Sequence, residues 1–310
     1  MLAVSAASGL PAEIVLGFVD AEVNRLLDLD PRREVSLCLV PIGRKSESSL
    51  PAPRAAPALS LETIPLSPHE VEYSAMLEMH EATSLESEEE VLEWRGNQPI
   101  PASAVLTGET VRLQSLPEEE QPKDTIEQVI LRRGSTRRFD RTASLTLAQL
   151  SAILDRATRG LPSDFIEPPG GQLNELYLIV HSVQGLEPGA YFFRRAQNTL
   201  ELLKAGEFRA EAYHLGLEQE LPAYACVDIF FLANLERILG RYGNRGYRAV
   251  QLEAGAIGGR MYLAVYAQHL GATGLTFFDD DVIEFFSPHA KGKSVIFLLA
   301  IGKPLKRNPQ

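Results

Sequence analysis

The chain repeats part of itself at the distance of a whole domain. Residues 18–44 align without a gap on residues 277–303, at an offset of 259 residues, and six positions are then identical. They are Phe18/Phe277, Asp20/Asp279, Val23/Val282, Leu39/Leu298, Ile42/Ile301 and Gly43/Gly302. A repeat of this kind is typical of duplicated structural modules. We therefore expect residues 1–45 to be the C-terminal remnant of a first module, residues 46–122 to be a linker with covering helices, and residues 123–310 to be the main domain. Chance similarity between two apolar helix-strand units is the alternative.

The composition excludes several classes of partner. The chain has 310 residues and a formal net charge of −11. Nucleic acids and anionic membranes bind through positive charge, so we expect neither as a partner.

The apolar run 249–270 contains Glu253 and Arg260, which argues against a membrane span. The two cysteines, Cys38 and Cys226, lack the spacing of metal ligands, and so do the six histidines. No metal is therefore expected. The first residues lack a basic signal-peptide start, and we expect a cytoplasmic protein.

Helices and strands alternate through residues 123–310. Thr125 with Gln128, and Thr146 with Gln149, have capping-box spacing and each predict the start of a helix. Further helices are predicted at 234–240 and 247–270. Runs rich in β-branched and aromatic residues predict strands at 176–181, 189–193, 199–203, 225–233 and 295–301. The fold class is therefore α+β, with a central sheet flanked by helices.

The predicted helix at 247–270 is unusually rich in small residues. It contains Gly255, Gly258 and Gly259, and glycine costs about 1 kcal/mol relative to alanine inside a helix. Three such residues indicate that another backbone packs closely there, as at a helix-helix or dimer interface. An irregular stretch at 258–259 is the alternative.

A short basic segment stands out from this acidic chain. The string Leu-Arg-Arg-Gly-Ser-Thr-Arg-Arg-Phe-Asp-Arg occupies positions 131–141 and follows the helix that Thr125 begins. Glycine lets a backbone approach a ligand closely, serine and threonine offer hydroxyls, and arginine binds phosphate oxygens two at a time. The segment therefore predicts a site for a phosphate-bearing cofactor, and a solvated basic turn is the alternative.

Several separated motifs resemble the nitroreductase-like flavoprotein superfamily, and specifically its SagB-type dehydrogenases, which are associated with thiazole- and oxazole-modified peptides. The family's Arg-Arg-x-Ser-x-Arg-x-Phe string is similar to residues 132–139. Its Tyr-Gly-x-Arg-x-Tyr-Arg and Leu-Glu-Ala-Gly motifs resemble residues 242–248 and 252–255, and its Gly-Leu-Gly segment before a Phe-Asp-Asp helix resembles residues 270–281. The resemblance covers residues 124–306 and implies a nitroreductase-like fold with a mostly antiparallel sheet. Tandem proteins occur in this family, so the N-terminal repeat would be a partial copy of the same module.

The resemblance also implies FMN, held at the interface of a homodimer. Carried over by position, the residues at the phosphate and ribityl chain are Arg133, Gly134, Ser135 and Arg137, and those near the flavin ring are Gly274 and Leu275. Many relatives carry a Pro-Ser-x-Gly loop beneath the flavin, whereas this chain has Glu-Pro-Pro-Gly-Gly-Gln-Leu-Asn at 167–174. Gly170, Gly171 and Gln172 are therefore matched to ring contacts by approximate placement.

The catalytic pair departs from the family pattern. Azoline-oxidising relatives are associated with a Lys-Tyr pair, and its nearest match here is Arg241 followed by Tyr242. A lysine can act as a base when its pKa is lowered, but arginine stays protonated. Tyr242 is then the candidate acid/base, and a structural hydroxyl is the alternative.

The function expected from these features is that of an FMN-dependent oxidoreductase acting on a small molecule or a modified peptide. A substrate would pass a hydride to N5 of the flavin while a nearby base accepts a proton. NAD(P)H-dependent reduction of nitro compounds or quinones is the alternative among enzymes. A non-catalytic scaffold subunit derived from a tandem protein is the alternative outside them.

Overall fold

The computed structural model describes residues 1–43, 59–64, 67–95, 108–166 and 171–305. Within the predicted linker and covering helices at 46–122, residues 46–58, 65–66 and 96–107 lie outside these ranges. The chain divides into two compact units. Unit 1 combines Met1–Ile100 with Pro162–Glu167 and Glu236–Ala249, and unit 2 combines Pro101–Leu161, Pro168–Leu235 and Val250–Gln310. Each unit is therefore assembled from separate stretches of chain.

The helices of the described chain are α1 Leu2–Ala7, α2 Asp20–Leu26, α3 Ser74–Ala82, α4 Glu88–Arg95, α5 Ile126–Arg132, α6 Leu147–Thr158, α7 Arg209–Leu215, α8 Glu220–Tyr224, α9 Leu235–Tyr242, α10 Arg245–Ala267 and α11 Asp279–Phe286. The strands are β1 Thr110–Arg112, β2 Leu145–Thr146, β3 Glu175–Val180, β4 Val183–Gln184, β5 Gly189–Arg194, β6 Thr199–Ala205, β7 Val227–Ala233, β8 Gly271–Leu275 and β9 Ser294–Gly302.

Unit 2 is built on a seven-stranded sheet in the order β1-β6-β5-β3-β7-β9-β8. All neighbouring pairs are antiparallel, and Leu178 of β3 lies opposite Tyr191 of β5 on one side and Ile229 of β7 on the other. Every residue of β5 and β7 is buried, because helices and loops cover both faces of the sheet. The α+β expectation with a mostly antiparallel central sheet is thus confirmed.

Both predicted capping boxes form. Thr125 accepts the N–H of Gln128 and Thr146 accepts that of Gln149, while each glutamine side chain bonds back to the threonine N–H. Each cap satisfies two backbone donors that a helix start otherwise leaves without partners. The cap at Thr125 matters for the site, because it fixes where α5 begins and so where the basic segment leaves it.

The small residues of α10 differ in what surrounds them within the described chain. A Cβ on Gly258 would lie 2.8 Å from the ring of Phe297, so the close approach is made by an aromatic side chain of β9 rather than by a backbone. A Cβ on Gly255 or Gly259 would meet no described atom within 4 Å. This part of the helix surface is open in the described chain.

Unit 1 is organised around a buried ion cluster. Asp20, at the start of α2, is 2% exposed and accepts hydrogen bonds from Arg245 and Arg248 in the first turn of α10, at 2.7 Å each. Arg245 also donates to the carbonyl of Leu16, and Asp20 accepts the N–H of Leu85. One carboxylate thus joins three segments that are far apart in the sequence.

Candidate cofactor site

The basic segment 131–141, here called the basic loop, is held in unit 2 by backbone hydrogen bonds at three of its residues. The N–H of Thr136 donates to the carbonyl of Ala272 in β8 at 2.9 Å. Further along, Asp140 donates to the carbonyl of Lys303, and Leu305 donates to that of Arg138, both at 2.9 Å. The loop therefore lies against β8 and against the chain that leaves β9, as an ordered segment.

Most guanidinium groups of the basic loop have no carboxylate partner in the described chain. Arg132 is the exception, because it pairs with Asp124 and donates to the carbonyl of Tyr266. Arg133, Arg137 and Arg138 are exposed, and none of them forms an ion pair with a described residue. In a chain with an excess of acidic residues, such positive charge is available to bind an anion.

Gly134 lies in open space. Its φ is not in the left-handed region, and a Cβ placed there would come no closer than 4.0 Å to a described atom, the hydroxyl oxygen of Tyr266. Neither packing nor backbone conformation within the described chain therefore requires glycine at this position. The open space suits a ligand that approaches the backbone, and Ser135 beside it is exposed.

Two tyrosines of α10 contact the basic loop, and the sequence did not single them out. Tyr262 carries the guanidinium of Arg133 over its ring, 4.7 Å from the centroid, and its ring is stacked on that of Tyr266 at 6.5 Å. The hydroxyls of Tyr266 and Thr136 are 3.1 Å apart. The only signal in the sequence was that Tyr262 and Tyr266 are four residues apart and so share one face of the helix. Their partners in the basic loop, Arg133 and Thr136, lie more than 100 residues away in the chain.

The ring side of the predicted site is formed by β8. The N–H of Gly274 donates to the hydroxyl oxygen of Tyr262 at 2.6 Å, and Leu275 follows as a half-buried residue. A Cβ on Gly274 would lie 2.9 Å from the ring of Phe297, so glycine is needed here for internal packing. Gly274 and Arg133, two of the predicted cofactor contacts, thus both contact Tyr262.

The segment predicted to lie beneath the ring is held by a different part of α10. Gly170 lies outside the described residues, and Gly171 and Gln172 are half-buried. The next two N–H groups, of Leu173 and Asn174, donate to the carboxylate of Glu253 at 2.9 and 2.7 Å. Burial raises the pKa of Glu253, and the hydrogen bonds from Asn174 oppose that shift. No hydrogen bond between described residues joins Gly171 or Gln172 to the basic loop.

Arg241 and Tyr242 belong to unit 1. The hydroxyl of Tyr242 donates to the carbonyl of Phe165 at 2.7 Å, and its ring packs against Trp94. The guanidinium of Arg241 lies over the Tyr242 ring at 4.2 Å. Because the hydroxyl proton is already committed to a backbone carbonyl, these contacts favour the structural alternative. The catalytic role of the pair stays a prediction.

Unit 2 also contains a buried His-Asp pair. Nε2 of His181 lies 2.9 Å from Oδ2 of Asp228, and both side chains are fully buried. Burial raises the pKa of Asp228 to about 6, against the lowering influence of His181 and Arg209. The other polar atom of each side chain, Nδ1 and Oδ1, has no hydrogen-bond partner in the described chain.

Comparison with known proteins gives the family. Residues 130–303 match the model of the Nitroreductase family. A nitroreductase of Methanocaldococcus jannaschii is 30% identical over 186 residues, which make up 57% of this chain and 90% of that protein. A crystal structure of a nitroreductase from Anabaena variabilis is 26% identical and superposes with a TM-score of 0.74. The match covers 97% of this chain, and this chain spans 62% of the length of that protein. The chain belongs to the Nitroreductase family.

Membership of this family confirms the predicted fold and the predicted enzyme class. A nitroreductase from Exiguobacterium sibiricum, solved in complex with FMN, is 14% identical and superposes with a TM-score of 0.43, covering 61% of this chain and 93% of that one. No helix in the described part of the chain is long and apolar enough to cross a membrane.

Proposed function

We propose that the chain is an FMN-dependent oxidoreductase that transfers hydride between a substrate and the flavin. The observation that carries the proposal is the basic loop, whose exposed Arg133 and Arg137 have no described carboxylate partner and whose course is fixed by β8 and the segment after β9. A phosphate would receive charge-assisted hydrogen bonds from preplaced guanidinium groups. Family membership supports the same cofactor.

The residues present fit the two ends of this cofactor. Arg133, Ser135 and Arg137 would hold the phosphate and ribityl oxygens, and the open space at Gly134 admits the chain between them. Gly274 and Leu275 would lie by the ring. Flavin supplies the hydride chemistry when bound, and the protein's part is to anchor and orient it and to limit the access of water.

For the substrate, we propose a modified peptide, as in the SagB-type dehydrogenases. The support is the resemblance of residues 242–248 and 252–255 to that group. In this chain the motif residues make architectural contacts, because Arg245 and Arg248 bind Asp20 while Glu253 holds the N–H groups of residues 173 and 174. The motif therefore supports a related architecture, and the substrate has to be tested directly.

We further infer that residues 1–45 derive from a first module of the same kind, that residues 46–122 are linker and covering helices, and that residues 123–310 are the cofactor-binding domain. Support comes from matching bridges in the two copies. Ala12 pairs with Ile42 and Val15 with Leu39, as Ala272 pairs with Ile301 and Leu275 with Leu298. In both copies a helix follows the first partner, α2 in one and α11 in the other.

We also propose a homodimer. Its support is the open surface of α10 at Gly255 and Gly259, where a Cβ would meet no described atom. Glycines four residues apart on one face let a second backbone approach closely. Sedimentation at increasing protein concentration tests this proposal, and a concentration-independent monomer would contradict it.

FMN binding is the first test. Purified protein should take up FMN with saturation, and Arg133→Ala or Arg137→Ala should weaken uptake by about 10- to 100-fold, because a hydrogen bond to a charged group contributes about 1.5–3 kcal/mol. Arg112→Ala is the matched control, since Arg112 is an exposed arginine of the edge strand β1. A folded protein that takes up no FMN, or loses it equally in all three variants, would refute the cofactor assignment.

The substrate proposal needs a separate measurement. The FMN-loaded protein is mixed with an azoline-containing peptide, and in a parallel experiment with NADH and a nitro compound, while flavin absorbance is followed. Bleaching by the peptide supports the dehydrogenase, whereas bleaching by NADH alone supports the reductase alternative. Neither result changes the FMN assignment, which is decided by the titration.

A further inference from the structure

The hydroxyl of Tyr262 accepts one hydrogen bond from the protein and keeps its own proton available for another. Its oxygen accepts the N–H of Gly274 at 2.6 Å. A tyrosine hydroxyl is one donor as well as an acceptor, so its own proton remains to be donated. Gly274 is exposed at this point of β8, and the hydroxyl lies against its N–H, on the strand that holds the predicted ring contacts.

Burial and two ring contacts fix the position of this hydroxyl. The ring is 8% exposed, it lies under the Arg133 guanidinium at 4.7 Å, and it stacks on Tyr266 with 12° between the ring planes. Tyr266 is in turn tied to Thr136 of the basic loop. A donor that is held in this way loses little entropy when a ligand binds, which makes its hydrogen bond more effective.

The arrangement also changes the role of Gly274. A backbone N–H beside a flavin can tune its electronics, and the resemblance placed Gly274 near the ring. Here that N–H is already donated to Tyr262. At this position of β8 the group that can still donate a hydrogen bond is therefore the hydroxyl of Tyr262 rather than the N–H of Gly274.

We propose that Tyr262 is the side-chain hydrogen-bond donor to the ring of the bound cofactor, with the N–H of Gly274 as its anchor. The inference rests on the proposed FMN site and names the residue that tunes it. A donor to the ring stabilises the more electron-rich, reduced form more than the oxidised form. Tyr262 should therefore raise the reduction potential of the flavin.

The test is the potential of bound FMN in Tyr262→Phe, which keeps the ring, its stacking and its contact with Arg133. We expect the preference for reduced over oxidised flavin to fall by about tenfold, which is about 30 mV for a two-electron couple. Binding of oxidised FMN should change by less than about threefold, because a single hydrogen bond to a neutral group contributes little net affinity. Tyr213→Phe, on the exposed part of α7, is the matched control and should leave the potential unchanged.

A second replacement keeps the proposal falsifiable if the phenylalanine variant does not fold. Site-specific fluorotyrosine at position 262 is a stronger donor of nearly the same size, and it should move the potential in the opposite direction. An unchanged potential in either folded, FMN-loaded variant would overturn the role of Tyr262. Failure of the wild-type protein to bind FMN would instead overturn the proposed function itself.

Discussion

The two copies of the repeated segment share a backbone pattern and differ in what surrounds it. Gly9 ends α1 with φ +67° and His269 follows α10 with φ +55°, and the next residue in each copy, Leu10 or Leu270, donates its N–H five residues back. The bridge pairs then correspond, as do α2 and α11. The first copy nevertheless has isolated bridges where the second has the nine-residue strand β9 in a seven-stranded sheet.

The aspartate that begins each helix shows the difference most clearly. Asp20 is buried and binds two arginines, whereas its counterpart Asp279 is exposed and forms no ion pair with a described residue. The first copy has a structural ion cluster, and the strand β8 of the second copy lies beside the basic loop through the carbonyl of Ala272. Identical residues at corresponding positions can thus serve stability in one copy and remain free in the other.

The largest expected effect comes from replacing the two corresponding aspartates, Asp20 and Asp279. Asp20→Asn leaves two buried guanidinium groups without their carboxylate and should cost about 3–5 kcal/mol of the free energy of unfolding. Asp279→Asn should change it by less than about 0.5 kcal/mol, as exposed substitutions do. The measurement is urea unfolding followed by the fluorescence of Trp94, which is the single tryptophan and lies in unit 1. Equal effects of the two substitutions would show that the ion cluster does not stabilise unit 1.

A second comparison sets Asp20 against Asp228, a buried carboxylate with a histidine as its partner. Burial raises the pKa of Asp228 from 3.8 to about 6, so its protonated form is favoured in the folded protein. The corresponding stabilisation is complete below pH 4 and is lost as the pH rises towards 6 and above. The stability of wild type relative to Asp228→Asn should fall by about 1–3 kcal/mol between pH 4 and pH 7. Urea unfolding followed by circular dichroism across this range measures it, and a constant difference would contradict the raised pKa.

The smallest expected effect concerns the helix ends. Gly9→Ala should destabilise the protein by about 1 kcal/mol, because a side chain disfavours the left-handed conformation. The site itself is open, so no clash adds to this cost. His269→Gly should stabilise by up to about 1 kcal/mol for the same reason, less the contribution of the ion pair between His269 and Asp124 at 3.3 Å. Thermal unfolding of the two variants measures both effects. If the melting temperature shifted in the same direction in both, the two helix ends would not be equivalent.

Sequence patterns predicted the elements whose signals are local. The capping threonines gave the starts of α5 and α6, and the runs of β-branched and aromatic residues gave β3, β5, β7 and β9 within one or two residues. Strand β8 was not predicted, since Gly-Ala-Thr-Gly-Leu has low strand propensity. It forms a strand because β9 supplies an antiparallel partner along its whole length.

The site was predictable only in part, for a similar reason. A concentration of arginine in an acidic chain is visible without a structure, and so the basic loop was found. Tyr262 was not, because its role depends on α10 lying beside both β8 and the loop. The family's Lys-Tyr pair drew attention to Arg241 and Tyr242. In the described chain the Arg241 guanidinium lies over the Tyr242 ring, and Tyr242 contacts Phe165 and Trp94.

The ring of Phe297 limits how this site can be altered. It lies where a Cβ of either Gly258 or Gly274 would have to be, at 2.8 and 2.9 Å. Enlarging either glycine alone therefore forces the ring of Phe297 to move. A smaller residue at 297 would relieve both positions at once, so this one aromatic side chain decides whether larger residues can stand at 258 and 274.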